Sequence, residues 1–481
     1  MKKNMGWSMS YPDLIQGGMG AGVSHWKLAR AVSLLGGLGV VSATALDTIV
    51  ARRLQEKDED TVNALSHFPI KEIAERIYKK YFGKKREDGS YLPVPFFSLN
   101  PSDELIELTV AANFVEVFLA KKGHNYPVGI NLLEKIQLTT LYSLYGAMLA
   151  GVDYVIMGAG IPREIPGILD KFARGLDAEL TLNVTGASKD EKFKMLFSPR
   201  SFMQNKAVEL KRPYFFAIVS SNVLATTLVK KSTGKVDGLV IENYMAGGHN
   251  APPRVKGVFD VNGAPVYGEK DKIDFEKIKK LEVPFYLAGN YVTQEKISEA
   301  LSKIGATGVQ VGTIFALTKE SGFNEDIKLK LIEMIKDGTI KVFTDPLASP
   351  TGFPFKVAQV EGTLSDEKIY LERKRICNFR YLAELYKDKE GNIGYRCPAE
   401  PVDEYVKKGG DVKNTEGRKC LCNALLANIG YGNVYKNGYR EPYLITLGDS
   451  VRFLEHLLPD KGLPTVKSVI TKLKEYINSC H

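Results

Sequence analysis

Between residues 13 and 315, short apolar runs of strand character alternate with helical patterns. The runs are Leu14–Met19, Leu38–Ala43, Val128–Leu132, Tyr154–Gly158, Glu179–Val184, Tyr214–Ser220, Gly238–Tyr244, Phe285–Gly289 and Val309–Phe315. Several are almost continuously apolar, which suits strands buried on both faces of a parallel sheet. The intervening segments Ser24–Leu35 and Thr293–Ile304 read as helices. Such alternation over some three hundred residues leaves a doubly wound sheet or a (β/α)8 barrel. Glycine decides between them. It stands at the C-terminal end of five runs, as Gly17-Gly18, Gly158 and Gly160, Gly247-Gly248, Gly289 and Gly312. A dinucleotide-binding sheet concentrates its glycines after the first strand and carries an acid about 20 residues on. Gly18-Met19-Gly20-Ala21-Gly22 approaches that motif only weakly, and the acid is missing. A ring of glycine loops around one mouth predicts an α/β fold of the (β/α)8 TIM-barrel type, with ligands on that edge.

Nine runs compete for eight places. Glu179–Val184 is followed by the charged stretch Ser188–Lys194, so it is expected to be an inserted or edge strand. Residues 47–100 form an inserted helical segment, with a charged helix around Ile70–Tyr81 and a Gly/Pro loop near Gly89–Pro95. Insertions of this length at the ligand edge often act as lids. The expected division is a barrel over residues 1–345, carrying insertion 47–100, and a C-terminal appendage over 346–481 that holds all five cysteines and an amphipathic helix near Thr465–Ile477.

Composition excludes more than it selects. With 44% hydrophobic and 25% charged residues, the chain is neither disordered nor low-complexity. The net charge of +9 is spread over both parts, and runs such as Lys84-Lys85-Arg86 are flanked by acids, so no nucleic-acid partner is expected. The longest uncharged stretches, Ala31–Leu46 and Leu138–Val152, are too short and too glycine-bearing to span a membrane. Lys2-Lys3 has no apolar run behind it, so no secretory signal is expected and the default compartment is the cytoplasm. No cysteine precedes Cys377, which removes any mechanism resting on a cysteine nucleophile in the barrel, such as that of an IMP-type dehydrogenase.

Candidate site residues follow from position. The loops after strands 7 and 8 of such barrels often bind phosphate through backbone N–H groups. Here they carry Gly289-Asn290 and Gly312-Thr313. His249 follows Gly247-Gly248 at the ligand edge, where an imidazole can move a proton near neutral pH; a structural histidine is the alternative. The other histidines, His25, His67, His124, His456 and His481, have no such setting. Met19 beside Gly17-Gly18 either lies against a flat aromatic cofactor or plugs the mouth. Asn131, an amide ending a buried run, is suited to a hydrogen bond with a ligand.

Taken in order, Ile15-Gln16-Gly17-Gly18-Met19-Gly20, Ala31-Val32-Ser33 through Gly36-Gly37-Leu38-Gly39-Val40, Gly129-Ile130-Asn131-Leu132, Ala246-Gly247-Gly248-His249, Ala288-Gly289-Asn290 and Gly308-Val309-Gln310-Val311-Gly312-Thr313 resemble the nitronate monooxygenase family. That family was formerly called 2-nitropropane dioxygenase and is related to the FMN-dependent enoyl-ACP reductases. The resemblance covers residues 13–315. It implies FMN in the barrel, with the flavin over Gly17, Gly18, Met19 and Asn131 and near Gly247 and Gly248. Gly289, Asn290, Gly312 and Thr313 would hold its phosphate, and Gln310 would touch it from inside. His249 would be the active-site histidine. The implied reaction is oxidation of alkyl nitronates by O2 to carbonyl compounds and nitrite, with an NAD(P)H-dependent enoyl-thioester reductase, and so an acyl-carrier partner, as the alternative. A non-enzymatic flavin or thiol-metal regulator is a more distant one. The chain departs from the pattern where Asn290-Tyr291 stands for Gly followed by Ile, and where Glu242-Asn243 stands for Gln-Gly.

Four thiols, Cys377, Cys397, Cys420 and Cys422, fall within 46 residues. Four thiolates can hold zinc or an iron–sulfur cluster, although the C-x-C spacing is unusual for zinc. The alternative is a set of buried free thiols, with Cys480 a tail thiol. The oligomeric state is not legible.

Overall fold

The structure is a computed structural model and describes residues 11–206, 208–435 and 437–480. The reading of the N-terminal Lys2-Lys3 segment and of His481 lies outside the described residues. Eight parallel strands form the centre: β1 (Leu14–Gln16), β2 (Gly39–Ser42), β3 (Val128–Leu133), β4 (Tyr154–Gly158), β5 (Tyr214–Val219), β6 (Gly238–Glu242), β7 (Phe285–Ala288) and β8 (Gly308–Val311). Each pairs with its sequence neighbour, and β8 returns to β1 with Gln310 opposite Ile15. The gap between β1 and β2 is closed by Leu38, whose N–H donates to Leu14 O at 2.9 Å while its carbonyl accepts from Gln16 N at 3.0 Å. The sheet is therefore a closed (β/α)8 barrel, as the glycine ring predicts.

The strands are buried on both faces, and this is why they read as unbroken apolar runs. Ile15, Val40, Ile156, Phe216, Val240, Tyr286 and Ala288 fill the interior as one cluster. The outward set joins the helices in a second, larger core. The segment Ala178–Leu182 pairs antiparallel with Phe193–Phe197 as a hairpin outside the barrel, so the ninth run is an insertion.

Residues 47–100 contribute the helices Leu46–Gln55, Glu59–Ser66 and Lys71–Tyr81, which pack on the crossover helix Asp103–Lys121. Every residue of Leu46–Gln55 is buried, charged ones included. One reason is the Arg53–Glu116 ion pair to the crossover helix. Another is that residues 346–481 cover the other side: Arg52 donates to Tyr431 O and to Asn433 Oδ1, and Tyr381 donates to Asp47. The last helix, Val466–Asn478, is capped by Thr465 and packs against the helices Trp26–Leu34 and Gln294–Ser298. It thus sits between the helices that follow β1 and β7, where a barrel's eighth helix belongs. Among the described residues no helix is long and apolar enough to cross a membrane.

Candidate active site

The loop after β1 is held by two polar side chains. Gln16 is fully buried; its amide donates to Ser24 Oγ at 2.9 Å and accepts from Val40 N at 3.0 Å, tying β1 to β2. Ser24 in turn donates to Gly17 O and accepts from Met19 N. Gly18 is required by close approach: a Cβ there would stand 2.3 Å from Asn131 Cβ. Asn131 is fixed from the other side by donating to Ile156 O at 3.1 Å.

After β7, Gly289 has φ +129°, and an added Cβ would meet Asn243 Oδ1 at 2.1 Å. A side chain is excluded there by both conformation and space. After β8, Thr313 Oγ accepts from Gly448 N at 3.0 Å. Gly17, Gly18, Met19, Asn131, Gly247, Gly248, His249, Gly289, Gln310, Gly312 and Thr313 all line one cavity at the barrel mouth, with about 220 Å³ of water-accessible space. Asn290 is buried beside it rather than in its wall, and its Oδ1 has no hydrogen-bond partner. None of His25, His67, His124 and His456 lines the cavity; His25 caps the helix Trp26–Leu34.

His249 is held in place by residues 346–481. Its backbone bridges to Phe355, whose ring stands edge-on to the imidazole at 4.9 Å, and its Nε2 is 2.7 Å from Ser349 Oγ. Burial, then the nearby Lys135 charge, holds its pKa well below the usual histidine range, so the imidazole is neutral. Gly248 N donates to Thr446 Oγ at 2.8 Å, and Asp449 N donates to Met245 O at 2.8 Å.

Two groups of wall residues escape a sequence reading. The first is Glu242, at the end of β6, in register with Ala288 and through it with Gln310. Its carboxyl is pushed up to about 8 by burial, so it is largely protonated at neutral pH. The Glu242-Asn243 departure is the signal that could have found it. The second is the roof: Phe355, Tyr381, Leu421, Cys422, Thr446 and Ser450. No residue of 47–100 lines the cavity, so the cover over the mouth comes from the C-terminal region instead.

The metal expectation finds no support. Among the described residues, no group of three or more His, Cys, Asp or Glu side chains is arranged to hold a metal ion. Cys397 and Cys420 pack with Ala399, and Cys377, Cys422 and Ala383 lie against them. Burial pushes the Cys420 and Cys422 thiols up, and Cys377 and Cys397 hydrogen-bond to each other. Cys397, Cys420 and Cys422, kept protonated in this way, pack as small apolar groups, whereas the hydrogen bond from Cys397 lowers Cys377 to about 7.

No curated protein matches the chain by sequence. Among solved structures, FabK from Thermotoga maritima is similar at 16% identity and TM-score 0.46, covering 98% of this chain and 93% of that one. A nitroalkane oxidase from Streptomyces ansochromogenes is similar at 13% and 0.46, covering 97% and 96%. The enoyl reductase domain of MlnA from Bacillus amyloliquefaciens is similar at 12% and 0.47, covering 97% and 94%. At these scores the likenesses carry no argument about chemistry. Residues 201–347 match the family model described as nitronate monooxygenase. That span includes β6 with Glu242, the His249 loop, and the Gly289 and Gly312-Thr313 loops. Over this segment, about a third of the chain, the sequence is similar to the nitronate monooxygenase family that its motifs resemble.

Proposed function

We propose that the protein binds FMN at the barrel mouth and oxidises alkyl nitronates with O2 to carbonyl compounds and nitrite. The observation that carries this reading is that His249 and both phosphate-type glycine loops open on one cavity. The residues suit FMN. Gly18 and Gly289 leave backbone bare where any side chain would collide. The buried Asn290 Oδ1 has no partner within the protein. Gly17, Gly18, Met19 and Asn131 would face the ring, with Gly247 and Gly248 beside it. Gly289, Asn290, Gly312 and Thr313 would hold the phosphate, and Gln310 would approach from the interior. Bound there, FMN would supply the electron-transfer chemistry.

His249 would then work in a dry pocket. With Nε2 occupied by Ser349, Nδ1 is the nitrogen left to accept the α-proton of a neutral nitroalkane or to orient a nitronate. Its low pKa keeps it in the basic form at neutral pH. Phe355, Leu421 and the other roof residues exclude water.

One observation favours the alternative, an NAD(P)H-dependent enoyl-thioester reductase. A protonated Glu242 in the cavity is an acid that a reductase needs to protonate the substrate α-carbon, and a nitronate oxidase does not need it. The test is anaerobic mixing of the purified yellow protein with a nitronate or with NADPH. Bleaching by nitronate supports the leading reading. Bleaching by NADPH alone supports the reductase. A colourless protein that takes up no FMN overturns both.

A further inference from the structure

His249 faces a problem of charge. A buried imidazole that accepts a proton becomes a cation in a site that disfavours cations. The structure contains an outlet. His249 Nε2 lies 2.7 Å from Ser349 Oγ, Ser349 Oγ lies 2.8 Å from Thr351 Oγ, and Lys135 Nζ lies 3.3 Å from Thr351 Oγ. Ser349 is fully buried, and Thr351 N also donates to its hydroxyl, which fixes the rotamer. Lys135 extends from the loop after β3 and lies 3.3 Å from the centre of the Phe353 ring, a face that stabilises an ammonium. The two hydroxyls come from residues 346–481 and the two ends from the barrel. Neither part alone makes the chain of hydrogen bonds.

We propose that Ser349, Thr351 and Lys135 form a proton relay that carries the proton gained by His249 out of the cavity to the Lys135 amine. The proposal rests on the reading of His249 as a base toward substrate. One proton enters at His249 Nδ1 as the Nε2 proton passes to Ser349 Oγ. The Ser349 proton passes to Thr351, and the Thr351 proton passes to the neutral Lys135 amine, which becomes an ammonium. His249 ends neutral in its other tautomer, and the half-buried Lys135 returns the proton to water. No electron is moved. The three residues are positioning residues, since they act through His249.

Lys135 suits the role. Burial pulls its amine down to about 7, opposed only partly by Glu134 on the same loop. The other charged groups around the relay are already committed. Arg418 donates to the Leu347 and Ser349 carbonyls. Asp345 accepts from Leu347 N and Ala348 N and pairs with Lys419.

The test uses the full-length, FMN-loaded protein and two measurements. The first follows the imidazole nitrogens by NMR, with His249→Ala assigning the signal. In the unmutated protein the His249 signal should shift with a midpoint near 7 while the ring stays neutral. Lys135→Met and Thr351→Val should abolish the shift, and Thr351→Ser should keep it. An identical titration with and without Lys135 overturns the proposal. The second is oxygen uptake at pH 8. Lys135→Met, Ser349→Ala and Thr351→Val should each slow neutral nitroalkanes about tenfold and slow pre-formed nitronates less, a small share of what a general base supplies. Equal losses on both substrates also overturn it. If no nitro compound is oxidised at all, the functional reading fails, and the NMR titration still decides the relay.

Discussion

Replacing Glu242 by Gln tests the electrostatics of the cavity directly. The unfolded chain ionises this carboxyl near 4.5, and the folded chain near 8. Below pH 4.5 both states hold the proton, and the group's stabilisation of the fold is fully present. As pH rises through the window to about 8, the unfolded state loses its proton first, so folding is progressively weakened; above 8 the penalty is constant. At 1.36 kcal/mol per unit, the full window corresponds to roughly 5 kcal/mol. Relaxation of the protein around a buried charge offsets part of this, so about 2 kcal/mol is the expected remainder. Glutamine has the same shape and no titration. The melting temperatures of the two proteins, measured at saturating FMN, should agree near pH 5 and part by about 2 °C by pH 8–9, with Glu242→Gln the more stable. Turnover of an anionic nitronate should fall above pH 8 in the unmutated protein and stay level in the variant, since an ionised Glu242 repels the substrate. A stability gap that does not change with pH would refute the reasoning, because it would mean that Glu242 ionises alike in both states.

Other outcomes follow from single sites. Gly289→Ala combines a φ of +129° with a collision on Asn243, and strain of about 1–3 kcal/mol should weaken FMN binding at least tenfold in a flavin-fluorescence titration. Arg53→Met strands the fully buried Glu116, which also accepts from Trp26 N; loss of about 3–5 kcal/mol should appear as a lower melting temperature, partly restored by adding Glu116→Leu. Among the four clustered thiols, Cys377 is the most reactive candidate, since the hydrogen bond to Cys397 lowers it while burial protects Cys397 and Cys420. Iodoacetamide followed by mass spectrometry should label Cys377 first.

The barrel is legible in the chain because its constraints are local. A strand buried on both faces must be apolar throughout, and a loop that passes under Asn131 or beside Asn243 must be glycine. Gly18 and Gly289 therefore announce the mouth without reference to anything distant. The hairpin at Ala178–Leu182 is legible for the same reason, since its charged return strand cannot enter a barrel wall. What lies beyond residue 345 has no period to read. Ser349, Phe355, Thr446 and Ser450 reach the cavity through tertiary packing, and nothing in their local sequence distinguishes them from surface loops. The insertion misleads for a related reason. Helix Leu46–Gln55 leaves the ligand edge after β2 as a cover would, yet all its residues are buried between the crossover helix and the C-terminal region.

That burial bears on how the site is built. Thr446 fixes the backbone of Gly248, Ser349 fixes the imidazole of His249, and Gly448 binds the hydroxyl of Thr313. Each of these contacts joins a C-terminal residue to a barrel residue proposed to touch substrate or cofactor. The terminal helix Val466–Asn478 then closes the barrel wall between the helices after β1 and β7. A chain shortened to the barrel would expose the helix Leu46–Gln55 that this region covers. It would lose the partner of His249, one neighbour of the Thr313 loop and the cover over the cavity. The C-terminal region is for this reason part of the proposed site, and its clustered thiols are part of the packing that holds the cover in place.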